Sequence, residues 1–149
     1  MIKYLLFSLV LVVAGGSRGC GDKTADNDDI RVIQVGQPFE LVAGQAVRLE
    51  SAEWGFSFGG VVNDSRCPTG VNCIRAGEAT VFFLTADGRR RELEVPAGSK
   101  GNPGINLGDY RILVESVDPY PTADAPKTLP KDYRIRLRVE PLPGGASAR

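Results

Sequence analysis

Cys67 and Cys73 frame the most chemically loaded stretch of the chain, Asp-Ser-Arg-Cys-Pro-Thr-Gly-Val-Asn-Cys-Ile-Arg-Ala-Gly over residues 64–77. Two thiols can hold a metal, exchange electrons or close a disulfide. A thiolate metal centre needs three or four soft or imidazole ligands. This chain has no histidine, its one methionine is Met1, and its third cysteine is the distant Cys20. A redox dithiol uses C-x-x-C spacing at a helix start, and six positions separate these two cysteines. A disulfide closing a short ring fits the pair best, and chain entropy assigns it about 2 kcal/mol of stabilisation. Pro68 and Gly70 suit a tight turn inside the ring. Asp64 and Arg66 are expected to bind backbone, or each other, across its base.

Other reactive constellations are thin. The missing histidine removes the commonest general base, the commonest transition-metal ligand and the usual serine or cysteine triad. Gly55–Gly59 matches G-x-S-x-G, but a nucleophile elbow needs a strand-to-helix turn and a histidine partner. Ser57 instead sits among alternating aromatics, Trp54, Phe56 and Phe58. Glu53, Asp64, Glu78, Glu92 and Glu94 could supply an acid–base pair of the kind that cleaves glycosides. Nothing in the order of residues brings two of them to one cleft, and Glu92 and Glu94 flank Leu93 on one solvated strand face. Arg134, Arg136 and Arg138, with Lys131, form a basic stripe that could grip carboxylate or phosphate. The plainer reading is an exposed sheet face answered by cross-strand acids such as Glu92 and Glu94. The acidic cluster 26–29 matches no calcium loop and reads as solvated linker. No catalytic residue, metal ligand or cofactor is assigned, and the chain is read as a non-enzyme.

The elements that must position these groups read as strands. After residue 20 no stretch shows a 3.6-residue apolar period, whereas short period-two runs recur. Residues 39–50 read as two strands about Gly44-Gln45. Residues 52–62 follow, then 78–86, apolar on both faces like a central strand. Asp87-Gly88 reads as a two-residue hairpin turn leading into 90–95. A Gly-rich loop over 98–108 precedes a strand at 110–117. The cleanest alternation is 132–140, with Tyr133, Ile135, Leu137 and Val139 on one face. Four prolines make 118–130 an extended crossing loop. Asp-Tyr-Arg-Ile occurs at 109–112 and again at 132–135, as a duplicated binding element or as two strands that meet the same half-buried pattern. The expected fold is all-β: an antiparallel sandwich, Ig-like or Greek-key, of about seven strands with one short disulfide loop.

Length points to one domain. Lys3 and the apolar run 4–14 read as an export signal, too short for a bilayer span of about 20 residues. Gly19-Cys20 then fits a lipoprotein processing site, with cleavage near 14–17 as the competing reading. The organisation follows: signal peptide 1–19, flexible tether 20–30, sandwich domain 31–140, disordered tail 141–149. Removing 1–19 takes away Lys3 and Arg18 and leaves a net charge of −2. That balance gives no reason to expect nucleic acid as a partner. Acylation of Cys20 would leave Cys67 and Cys73 paired in an oxidising compartment.

Residues 63–81 resemble the signature of a widespread group of small bacterial exported proteins and lipoproteins: D-S-R-C-P, two residues, V, one residue, C, then an aromatic-Ala-Gly turn and a strand. Residues 108–121 resemble that group's second segment, so the likeness spans most of 38–140. Arg75 stands where the group commonly has tryptophan. The resemblance implies export, the disulfide and a β fold, and implies no activity. The expected function is a membrane-tethered envelope module that binds or supports rather than catalyses. The lipid would hold it to the bacterial envelope, with Gly21 favouring the outer membrane facing the periplasm. Its partners would be the membrane and an envelope protein or glycan. The expected interaction surface comprises Asp64, Arg66 and Arg75 of the cysteine loop, Tyr120 of the proline loop, and Arg134, Arg136 and Arg138. Alternative readings are an inhibitor of an envelope-targeting protease or lysozyme, and a carboxylate-dependent glycan hydrolase. Cys20→Ala is expected to move the protein from the membrane to the soluble fraction on cell fractionation; continued membrane association would overturn the lipid tether.

Overall fold

The computed structural model describes residues 30–50, 52–98, 101–124 and 128–144. The signal-peptide, Cys20 lipidation and tether readings over 1–29 lie outside the described residues, as does the end of the tail, 145–149. Among the described residues nine strands follow in chain order: β1 (Arg31–Ile33), β2 (Pro38–Val42), β3 (Ala46–Leu49), β4 (Gly55–Asp64), β5 (Glu78–Thr85), β6 (Arg90–Pro96), β7 (Gly104–Leu107), β8 (Tyr110–Asp118) and β9 (Arg134–Pro141). They form two sheets, ordered β1-β3-β4-β5-β6 and β2-β9-β8-β7. The inner faces pack together as an all-β sandwich. Among the described residues no helix is long and apolar enough to cross a membrane.

Period-two alternation decides what each strand buries. Along β9 and the residue before it, Tyr133, Ile135, Leu137 and Val139 are buried while the arginines between them face outward. Across from them stand Phe39 and Leu41 of β2 and Ile112, Val114 and Val117 of β8. Phe56 and Phe58 of β4 meet Phe83 of β5, at ring-centroid distances of 5.7 and 6.2 Å. Irregularities in the strand pairing re-phase the pattern. A bulge between Val114 and Ser116 returns Val117 to the core and leaves Glu115 on the outer face. Another, between Phe58 and Gly60, accompanies a close approach on the outer face, where a side chain at Gly59 would collide with the Phe82 ring.

Several expectations need correction. Among the described residues the sandwich has nine strands, where about seven were expected. β1 is only three residues long, and β7 lies inside the stretch read as a Gly-rich loop. Gly104 there admits the close approach of Arg111 and Leu113, which would sit 2.8 Å from any Cβ. β1 pairs parallel with β3, because β2 between them crosses to the other sheet. The β5–β6 hairpin closes on Thr85 and Arg89, with three residues between, and only Gly88 takes a positive φ, +76°. A two-residue type I′ turn would need the same of Asp87. The proline loop does not cross between sheets, because β8 and β9 are antiparallel neighbours. β9 includes Pro141, and the Leu142 amide donates to the Asp109 carbonyl at 2.9 Å.

Leu137 is fully buried, with Phe39 and Val114 opposite it on β2 and β8. Leu137→Ala is expected to cost about 2–5 kcal/mol in urea-induced unfolding.

Candidate functional site

β4 ends at Asp64 and β5 begins at Glu78, so the cysteine loop leaves and re-enters one end of the sandwich. β8 ends at Asp118 and β9 begins at Arg134, so the proline loop does the same at that end. The two excursions are joined: the Thr69 amide donates to the Pro121 carbonyl at 3.0 Å, and the Ala123 amide to the Thr69 carbonyl at 3.1 Å.

The cysteine loop is closed twice. Cys67 and Cys73 form the disulfide, with their Cα atoms 5.9 Å apart. Below it, the Ser65 and Cys67 amides donate to the Glu78 and Ala76 carbonyls at 2.8 and 2.7 Å. Gly77 sits against this base at φ +71°, where a Cβ would strike the Ser65 carbonyl oxygen. The glycine of the Arg-Ala-Gly turn is therefore required by close backbone approach as well as by its conformation.

Arg66 fills the space between the loops. Its Nε and Nη2 donate to Asp64 Oδ1 and Oδ2 at 2.8 and 2.7 Å. Nη1 donates to the Val117 carbonyl at 2.6 Å and Nη2 also to the Pro119 carbonyl at 3.0 Å. The Tyr120 ring lies 4.7 Å from the guanidinium carbon, in cation–π range. Tyr133 donates its hydroxyl to Asp64 Oδ2 at 3.0 Å. The side chains of Arg66 and Asp64 are only 5 and 9 % exposed. Burial alone would raise the Asp64 pKa, but the hydrogen bonds and charge of Arg66, with the Tyr133 hydroxyl, outweigh it and hold the carboxyl below its ordinary value. Burial, then the bond to the Asp64 carboxylate, pushes the Tyr133 hydroxyl up. An ionised carboxylate with both oxygens engaged is a poor proton donor for glycoside cleavage.

The expected surface residues thus separate. Asp64 and Arg66 come together but lie inside, because the guanidinium needs all these acceptors to be buried at all. Tyr120 and Arg75 remain exposed. Ile74 stands fully exposed beside Cys73, and Val71 is 47 % exposed. The arginine face lies on the outer side of the sheet holding β9. There Arg136 and Arg138 bind Glu115 at 3.0 and 2.6 Å, and Arg136 reaches Glu40 at 3.6 Å. Glu92 and Glu94, the partners expected from sequence, belong to β6 in the other sheet. The hydrogen bond from Arg138, then that from Arg136, holds Glu115 below the usual carboxylate range. Arg134 is exposed and stands opposite Asp118 in register.

Sequence reasoning missed Tyr133 as a polar partner, because its place in the alternation already accounted for it as core. It also missed the exposed apolar tip, for which Val71 and Ile74 in a polar loop were the available signal. Among the described residues no group of three or more histidine, cysteine, aspartate or glutamate side chains is arranged to hold a metal ion. The chain matches no family model, no curated protein and no solved structure.

Asp64→Asn breaks a buried ion pair and is expected to cost about 3 kcal/mol near neutral pH. The depressed carboxyl contributes fully above its unfolded value of 3.8, and the contribution drains away as pH falls below that value towards the lower folded one. The wild-type denaturation midpoint should hold down to about pH 5 and then fall, with a shallower fall in Asp64→Asn. Equal acid slopes would show that Asp64 does not set the profile.

Proposed function

We propose that this chain is a lipid-tethered, non-enzymatic binding protein of the bacterial envelope, and that it engages an envelope protein through the end of the sandwich formed by the cysteine and proline loops. One observation carries the reading: Ile74 is wholly exposed on a loop held by a disulfide and by the Arg66 clasp. A large apolar side chain held out in water by a rigid support is the form of an interface anchor. Val71 of the same loop and Tyr120 of the proline loop are also exposed, and Arg75 is an exposed charge next to Ile74 in the chain. The clasp ties the cysteine loop to Val117 and Pro119 before any partner arrives, which lowers the entropy that binding must meet.

The same observation favours inhibition of an envelope-targeting hydrolase as the second reading, since a stapled loop with a protruding side chain can occupy an enzyme's cleft. The glycan-hydrolase reading loses Asp64, whose two oxygens are committed to Arg66 and Tyr133.

A photo-crosslinking amino acid placed at position 74, and separately at Glu92 on the exposed β6 face, tests the proposal in intact cells. The expected result is one partner captured from position 74 and not from position 92. Its affinity for purified protein should fall about thirtyfold in Ile74→Asp, the loss of a strong interface anchor. Equal capture from both positions, or unchanged affinity, would overturn the assignment of this end. A hydrolase as the captured partner, inhibited by wild type and not by Ile74→Asp, would select the inhibitor reading.

A further inference from the structure

The opposite end of the sandwich carries a second constellation. Trp54 precedes β4, ten residues of strand away from Asp64, a separation of about 30 Å. It is the only tryptophan in the chain. Its ring is fixed against Tyr110, with centroids 4.9 Å apart and planes at 36°, and lies 5.6 Å from Phe56. Gly108, at φ +59°, lets the β7–β8 turn come against the indole edge; a Cβ there would lie 3.0 Å from Nε1.

Two adjoining grooves open around this indole. The first, about 310 Å³, has mainly apolar walls that include Ile30, Ala46, Leu84 and Ala86, with one charge of each sign, Arg48 and Glu53, in its lining. The second, about 370 Å³, is edged by Asp87, Arg89, Arg91 and Asn106. Glu53, Trp54, Gly55, Thr85 and Ala86 line both, so the grooves are continuous. Each falls within the usual size range of small-molecule sites, about 300–1,000 Å³.

The lining selects among ligands. In the polar groove the charges balance: Glu53 and Asp87 against Arg89 and Arg91. Arg89 and Asp87 pair at 3.1 Å, and among the described residues neither Arg91 nor Glu53 has an ion-pair partner. A free anion would meet Glu53 and Asp87; a free cation would meet the arginines. An acyl chain would satisfy the apolar groove and leave the polar one unanswered. A sugar satisfies both. Its ring offers C–H groups to an aromatic or apolar wall, and each hydroxyl can donate to a carboxylate while accepting from a guanidinium or amide. We propose that the Trp54 groove binds a neutral glycan of at least two rings, one on either side of the indole.

The test uses the purified, disulfide-intact protein titrated with cellobiose and with N,N′-diacetylchitobiose, read by Trp54 fluorescence and by calorimetry. The expected result is saturable binding of at least one of the two, weakened at least tenfold for the corresponding monosaccharide. Arg91→Ala and Asn106→Ala, both at exposed positions, should each weaken it about tenfold, the loss of one good hydrogen bond. Trp54→Phe, followed by calorimetry and with its unfolding midpoint checked, should weaken it while the domain stays folded. No saturable response to either disaccharide, unchanged affinity in both Arg91→Ala and Asn106→Ala, or saturable binding of dodecanoate in place of the sugars would overturn the proposal.

Discussion

A guanidinium held almost out of reach of water has to find acceptors for its donors, and at Arg66 the search organises one whole end of the domain. Its planar fork spans the Asp64 carboxylate, at the end of β4, and the Val117 and Pro119 carbonyls, at the end of β8. Those strands belong to different sheets. The clasp therefore fixes how the two sheets meet at this edge, and the Tyr133 hydroxyl, donated to the same carboxylate, brings in the approach to β9. A lysine would supply charge without the fixed geometry that meets three acceptor groups at once. The disulfide above the clasp holds the shape of one loop; the clasp decides where that loop stands.

The ends of the sandwich are made from similar material put to different use. Asp-Tyr-Arg-Ile occurs at the approach to β8 and again at the approach to β9, and those strands run antiparallel side by side. The two tyrosines consequently fall at opposite ends of one sheet. Tyr110 packs its ring on Trp54 and supports an aromatic shelf; Tyr133 spends its hydroxyl on Asp64. The repeat is what two strands entering one core from opposite directions require: an amphipathic residue at the mouth and a branched apolar one behind it.

What could be read from the sequence was whatever depends on neighbours a few residues away. The alternation in β9 gave its buried face residue by residue, and the disulfide followed from the absence of other ligands for two thiols. What could not be read depends on strand order and on bulges. Arg136 and Arg138 face Glu115 because β9 lies beside β8 and because a bulge turns Glu115 outward, neither of which leaves a mark in a linear pattern. β1 and β7 are too short to show a period. At the site, Asp64 and Arg66 were visible as a pair, but their carbonyl partners more than fifty residues away were not.

That same separation bears on the order in which the molecule assembles. The ring between Cys67 and Cys73 joins residues six apart, so its closure costs little chain entropy and needs only local turns. Arg66 reaches Val117 across 51 residues, after β5, β6, β7 and β8 have been placed. Contacts of such long range are made late, because the entropy of closing the intervening chain must be met first. The staple is thus a short-range closure and the clasp a long-range one. Until the clasp forms, Arg66 remains a hydrated surface cation, and its withdrawal from water marks the step at which the two sheets lock.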